Sequence, residues 1–338
     1  MAIVFMDSFD HYAIGNMTRK WTSNTIGSAM STGRTGVGQA LNITTTVACE
    51  KVFPATSQAW RVGFGLKLNS QTGGTFALIS LKDNTSSQLE LSWVNNRRLQ
   101  FSRNGTLLGS TSATTFSTGV WYYVEFYGVI SDSISDGHVQ CYINGVQEIS
   151  LAAGTDTKNT SNAYADRVTV SGAGFWSFDL DDIVISQEAV TTTPTFLGDL
   201  KIITLYPDGN GNYSDFTGSD GNQVNNYQLV DETLVDDADY VTGDTANFRD
   251  SYTFGNLSQT PSSIAAVQLT TCVRKDDAGA RVGRSFVRIS GSNYESSDIT
   301  LSTSFVFNSN IMVTNPATAA AWTASDVNGL EAGVKVQS

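Results

Sequence analysis

Phe178-Asp179-Leu180-Asp181-Asp182-Ile183-Val184-Ile185 decides the fold when it is read against Asp7-Ser8-Phe9-Asp10 near the start of the chain. Both stretches are acidic and aromatic, and between them one short alternating segment follows another. Trp60, Val62, Phe64, Leu66 and Leu68 share one face, with Arg61 and Lys67 on the other. Leu89, Leu91 and Trp93 alternate with Gln88, Glu90 and Ser92, and Leu99 and Phe101 with Arg98, Gln100 and Ser102. A period of two is the mark of a strand with one face in a core and one in water. Asn95-Asn96, Asn104-Gly105 and Asn144-Gly145 supply residues that tolerate the positive φ of tight hairpins. Trp121 to Ile130 is apolar or aromatic on both faces except at Glu125, so it is expected to cross the centre. Together these predict one closed β-sandwich whose first and last strands meet. Asp179, Asp181 and Asp182 read as edge charges that discourage pairing with another sheet.

Outward from that bracket, the chain organises into two parts. Residues 1–190 form the sandwich. A Thr run meeting Pro194 makes residues 191–195 a linker, and residues 196–338 form a second β-rich domain. That second part is expected to open with a strand from Phe196 through Tyr206, then a Gly/Asn/Asp loop from Pro207 to Gln223. Val267 to Val273, Phe286 to Ile289 and Ile299 to Phe307 follow as alternating strands. Thr323 with Asp326 has the spacing of a helix N-terminal capping box, so a short helix is expected near the C-terminus.

Composition narrows the classes of function. The chain has 338 residues, of which 15% are charged, and a formal net charge of −12. Nucleic acid is excluded as a partner, because phosphate binding needs clustered Lys and Arg. No apolar run approaches the ~20 residues of a membrane span. Met1 to Met6 lacks a basic stretch and reaches Asp7 too soon for a secretory leader. The three cysteines, at 49, 141 and 272, have no metal-ligand spacing and read as buried thiols in a reducing compartment.

The opening Phe9-Asp10, the Gly119 to Phe126 strand, the Tyr142 to Val146 hairpin and the Asp181 to Ile185 strand resemble the concanavalin A-like lectin/glucanase superfamily, the laminin-G-type jelly roll. The second part is similar to regions that accompany such domains in structural proteins of tailed bacteriophages. Its carriers are Phe196 to Leu200, Tyr206-Pro207, Val273 to Gly279, Asn315 to Trp322 and Gly329 to Val334. The resemblance implies a non-enzymatic virion protein, a tail component or head decoration made in the host bacterial cytoplasm. Its expected partners are other capsid or tail proteins, further copies of itself in a symmetric oligomer such as a trimer, and a host-surface glycan.

Catalytic patterns are missing. The superfamily's enzymes carry a Glu-x-Asp-x-x-Glu run, and nothing here matches it. Glu90 and Glu125 stand alone, and His11 and His138 have no triad partners in view. Asp208-Gly209-Asn210-Gly211-Asn212 has oxygen ligands at alternate positions, yet Tyr213 and Ser219 stand where an EF-hand needs Gly and Glu. No metal or cofactor is expected. Sugar binding would use exposed aromatic faces. Tyr12, Trp21 and Trp176 fall outside the clean alternation and are the expected glycan contacts, while Trp60, Trp93 and Trp121 fit core positions. The alternative function is a carbohydrate-active enzyme or a free lectin of the same superfamily.

Overall fold

A computed structural model describes residues 2–25, 28–45 and 48–338. The chain divides into two compact units, residues 1–10 with 14–202, and residues 11–13 with 203–338. The first unit is a jelly-roll β-sandwich and the second is also β-rich, so the fold is all-β.

Two antiparallel sheets make the first unit. In the first sheet the path runs Val146–Leu151, His138–Ile143, Trp121–Val129, Ala59–Gln71, Trp176–Glu188, Gln39–Ile43 and Ser28–Thr32. Ala2–Asp7 also pairs with Trp176–Glu188, so the first and last strands of the sandwich meet as expected. The second sheet runs Thr106–Leu108, Arg98–Arg103, Ser86–Val94, Phe76–Asp83, Ala165–Ser171, Ala48–Ser57 and Ser23–Asn24. Between the sheets lie Trp60, Val62, Phe64, Leu66 and Leu68, together with Leu91, Trp93 and Phe101, all without solvent exposure. Full burial of such side chains contributes about 1.5–3 kcal/mol each. The Asn104-Gly105 and Asn144-Gly145 turns adopt positive φ at both residues. In the third hairpin the left-handed residue is Arg97 rather than Asn95 or Asn96, because the loop has three residues and its last takes that conformation.

One expectation about the bracket is corrected. Trp176–Glu188 is a central strand between Ala59–Gln71 and Gln39–Ile43, so Asp179, Asp181 and Asp182 are not edge charges. They stand within the sheet, and each is at least 95% buried.

The boundary between the units also differs from the expected one. Residues 191–202 belong to the first unit, because the segment after Glu188 turns back over the outer face of its first sheet. No strand forms from Phe196 to Tyr206. The expected loop from Pro207 is instead the strand Pro207–Ser214, paired with Arg249–Phe254. Its glycines decide this. A Cβ on Gly211 would stand 2.6 Å from both Glu331 Oε1 and Ser251 Oγ. With no side chain there, Asn212 donates its backbone N–H to Glu331 at 2.7 Å, and the strand closes against the sheet.

That sheet of the second unit runs Pro207–Ser214, Arg249–Phe254, Glu331–Val336, Val282–Ile289 and Ser292–Glu295, with Ile299–Thr300 paired to Val282–Ile289. Val267–Val273 and Val306–Met312 form a separate two-stranded ribbon. The expected alternation from Ile299 to Phe307 does not make one strand, since residues 301–305 are irregular and the ribbon strand starts at Val306. The short helix is present as Ala324–Asn328, with a complete Thr323/Asp326 capping box.

Gly333 tests the closeness of this packing. A Cβ there would meet the Asp250 carbonyl at 1.9 Å, a backbone clash that no rotamer relieves. Gly333→Ala should cost about 1–3 kcal/mol or more in urea unfolding. Gly174→Ala, with nothing within 4 Å of its Cβ, should stay within about 0.5 kcal/mol.

Candidate functional site

The outer face of the first sheet carries the candidate site. Arg61 and Lys67 point away from the core, and cross-strand register puts Lys67 opposite Trp121, Gly65 opposite Tyr123, and Gly63 opposite Glu125. Trp121, Tyr123, Glu125 and Tyr127 therefore share the outer face. On the next strand Tyr142 lies opposite Glu125 and joins them.

Glu125 is 2% exposed and fully engaged. Its Oε1 accepts from Arg61 Nη1 at 3.0 Å and from the Leu197 N–H at 2.8 Å, and its Oε2 accepts from the Gly198 N–H at 2.9 Å. Arg61 also pairs with Glu188 at 3.1 Å. These bonds fasten a strap, residues 189–202, across the sheet. Phe196 supplies its apolar anchor, packed on Ala59, Tyr127 and Val129, with its ring centroid 3.8 Å from that of Tyr142. Tyr127 holds the start of the strap through Ala189 and Thr191.

Arg34 fastens the other end. Its Nε pairs with Asp182 at 2.8 Å, its Nη1 with Asp199 at 2.5 Å, and its Nη2 donates to the Leu200 carbonyl. Asp182 also accepts from the Ile202 N–H at 2.8 Å. Space for Arg34 exists because position 65 is glycine: a Cβ there would stand 2.8 Å from Arg34 Cδ. Gly63 plays the same part for Tyr123, whose hydroxyl would lie 2.4 Å from a Cβ. The Asp182 backbone is left-handed at a bulge, which aims both neighbouring carboxylates at Arg34. Burial, then the Asp182 charge, push the Asp181 carboxyl up to about 8, although it accepts from the Arg34 and Asp182 N–H groups.

Between strap and sheet lies a cavity of about 170 Å³, lined by Tyr123, Glu125, Tyr142, Gly145, Phe196 and the backbone at 197–198. It is smaller than the roughly 300–1,000 Å³ of sites for drug-sized ligands. At about 30 Å³ per water it has room for roughly five waters, or for one six-membered ring. Three aromatic side chains wall it. The Tyr123 hydroxyl is buried without a hydrogen-bond partner among the described residues.

Beside the cavity runs a cross-strand row of Asn42, Asp179, Lys67 and Trp121. Lys67 pairs with Asp179 at 2.6 Å and stands 4.9 Å over the Trp121 ring. Asn69 donates to Asp179 at 2.7 Å, and Asn42 donates to the same oxygen. Three strand spacings make this row about 14 Å long.

The expected glycan contacts are not here. Tyr12, Trp21 and Trp176 are at most 1% exposed. Tyr12 belongs to the second unit, with its ring edge-on to His11 and tilted against Phe307. Trp21 stacks on Phe9 and donates to Asp7 at 2.8 Å. Trp176 stacks on Trp93 at 4.8 Å and donates to the Gly74 carbonyl. With their faces covered by other rings, none can stack on a ligand. Trp121, expected in the core, is the half-buried aromatic on the outer face. The signal was Glu125: as the lone charge of its strand it marks the outer face, which then includes Trp121, Tyr123 and Tyr127.

No family model matches the chain, and neither does any curated protein. Among solved structures it is similar to domain 4 of AbnA, a GH43 extracellular arabinanase from Geobacillus stearothermophilus, in complex with arabinotriose. Identity is 18%, over 55% of this chain and 95% of that one, with a TM-score of 0.38. A Trypanosoma rangeli sialidase matches at 14% over 44% of this chain, with a TM-score of 0.33; the match spans 25% of that protein. The polysaccharide lyase family 7 alginate lyase AlgAT5 matches at 8%, over 47% and 82%, with a TM-score of 0.34. The expected function, a non-enzymatic phage virion protein, is corrected here: these matches are to carbohydrate-active enzymes and a domain of one, not to virion proteins.

Two outcomes check the strap. Glu125→Leu leaves the Leu197 and Gly198 N–H groups without their acceptor and Arg61 with Glu188 alone. It should destabilise the first unit by about 3–5 kcal/mol and open residues 196–202 to proteolysis. Asp181 sets a pH dependence. Because its folded pKa is raised, its contribution to stability is full below the ordinary carboxylate range and is lost as pH rises through about 8. The Tm difference between wild type and Asp181→Asn should therefore shift against wild type from pH 5 to pH 9.

Proposed function

We propose that the first unit binds carbohydrate, with one sugar ring in the cavity and the next along the row to Trp121, and that it does not cleave it. The observation that carries the reading is the cavity itself. Tyr123, Tyr142 and Phe196 line it with apolar ring carbon, which suits the C–H groups of a sugar. Asn42, Asn69 and Lys67 extend polar contacts along the adjoining row.

Most glycoside hydrolases use two carboxyl groups at most about 9.5 Å apart across the bond to be cleaved. On the outer face of the second sheet, Glu50 and Glu90 are the endpoints of a cross-strand row through Thr169 and Ser80. Three strand spacings separate their backbones by about 14 Å. Each is also engaged, Glu50 with Arg167 and Glu90 with Ser102 and the Gly105 N–H. On the first sheet, Glu125 has both oxygens occupied. A second reading, a glycosidase with Asp181 as proton donor, is favoured by the raised pKa of that carboxyl. It is opposed by its 5% exposure.

The test is a glycan array probed with the whole chain, followed by titration calorimetry of any hit. Binding should fall at least about tenfold, or about 1.4 kcal/mol, in Trp121→Ala and in Tyr142→Ala. Trp21→Phe, in the core, should bind as wild type does. An array without hits, or hits indifferent to Trp121 and Tyr142, overturns the reading. Cleavage of a bound glycan that disappears in Asp181→Asn would establish the glycosidase instead.

A further inference from the structure

The second unit contains a two-stranded ribbon with an open edge at Val306–Met312 among the described residues. Val267–Val273 and Val306–Met312 pair over seven residues, and the Val306–Met312 strand has no second strand partner among the described residues. An isolated two-stranded ribbon is marginal in water. Proteins normally blunt exposed strand edges with charge, proline or a bulge. This ribbon has none of these. Its two strands lie in residues 251–273 and 299–325, which contain no Asp, Glu, Lys or Arg, in a chain of net charge −12. Its register is unbroken. No residue of either strand is fully buried, Val306 is 38% exposed and neighbouring Val313 is 40% exposed.

We propose that the Val306–Met312 edge pairs antiparallel with the same edge of a second copy of this chain, about a two-fold axis at Ser309. The strand reads Val-Phe-Asn-Ser-Asn-Ile-Met, and it is self-complementary about its centre. A two-fold at Ser309 sets Val306 opposite Met312 of the second copy, Phe307 opposite Ile311, and Asn308 opposite Asn310. Apolar side chains meet apolar ones, and amide meets amide. A two-fold interface demands that kind of self-complementarity, and a foreign partner would not. Charge points to the same occupant. Two chains at −12 repel over most of their surfaces, and they can approach without desolvating like charges where charge is missing. The Met312 carbonyl already accepts from the Trp322 indole at 2.9 Å, so the open edge runs from 306 to 311. Pairing would extend the ribbon to four strands, past the three that independent stability calls for.

Light scattering on the full-length chain should give the mass of two copies. Ser309→Lys, which faces two ammonium groups across the axis, should give the mass of one, with an unchanged far-UV circular dichroism spectrum. A cysteine at 309 gives a second measurement that does not depend on how the lysine variant folds. Paired Cα atoms in such a ladder lie about 4.5–5.5 Å apart, within disulfide range. In a Cys272→Ser background, Ser309→Cys should oxidise to a covalent dimer, while Ser258→Cys, exposed outside the ribbon, should not. A wild-type chain that scatters as one copy overturns the proposal. So does a folded Ser309→Lys chain of unchanged dimer mass, or Ser309→Cys oxidising no faster than Ser258→Cys.

Discussion

A carboxylate taken out of water must find donors or give up its charge, and Glu125 finds three. Two of them are backbone N–H groups of the strap, so the segment after the last strand of the sandwich has a single place to go. Arg61, held between Glu125 and Glu188, keeps the carboxylate from facing those dipoles unpaired. A buried ion pair of this sort adds little net stability against an apolar substitute. What it adds here is position. The strap is fixed with Leu197 and Gly198 over Glu125, and Phe196 is fixed on Tyr142. The cavity is the space left where Glu125 reaches the strap backbone beside the Phe196–Tyr142 contact.

The same face shows why two glycines sit in the middle of Ala59–Gln71, one of the two longest strands described. Gly in a strand interior loses side-chain packing and costs backbone entropy. At Gly63 and Gly65 that loss is offset, because Tyr123 and Arg34 lie flat across them. Arg34 can then hold Asp182, Asp199 and the Leu200 carbonyl together. Burial beside this arrangement, then the Asp182 charge, pushes the Asp181 carboxyl up to about 8 against the opposing pull of its two backbone N–H donors. Its raised pKa is thus a consequence of how the strap end is tied down. That origin is why a perturbed carboxyl here is a poor guide to catalysis, even though such groups often mark active sites.

Period-two alternation was sufficient for the sandwich, since Trp60 to Leu68 and Leu89 to Trp93 each have a phase that only one register satisfies. The meeting of first and last strands also followed from it. The pattern failed wherever a strand is held by something other than side-chain burial. Pro207–Ser214 has almost no β propensity and forms because Gly211 lets Asn212 reach Glu331. The strap has no periodicity at all, since Glu125 and Arg34 hold it by its backbone. At the site, Tyr12, Trp21 and Trp176 looked free because they stood outside clean alternation, but irregular backbone can point inward as well as outward. Trp121 looked buried because its strand is apolar on both faces, and the strap and cavity are what make an apolar outer face tolerable in water. Neither can be inferred from the strand's own residues.

Much of the acidity of the first unit is committed to holding structure. Asp7 takes the Phe9 N–H and the Trp21 indole, Asp179 takes two amides and an ammonium, Glu90 takes Ser102 and a turn N–H, and Glu125 takes the strap. A carboxylate that already accepts two or three hydrogen bonds offers few lone pairs to a ligand. On the proposed reading, recognition at the cavity would fall to apolar ring carbon and to the amides beside it. Those groups discriminate by shape and by the position of hydroxyls, with little call on ligand charge. They suit a neutral sugar better than an acidic one, because a ligand carboxylate in the cavity would face Glu125 at short range with Arg61 already engaged.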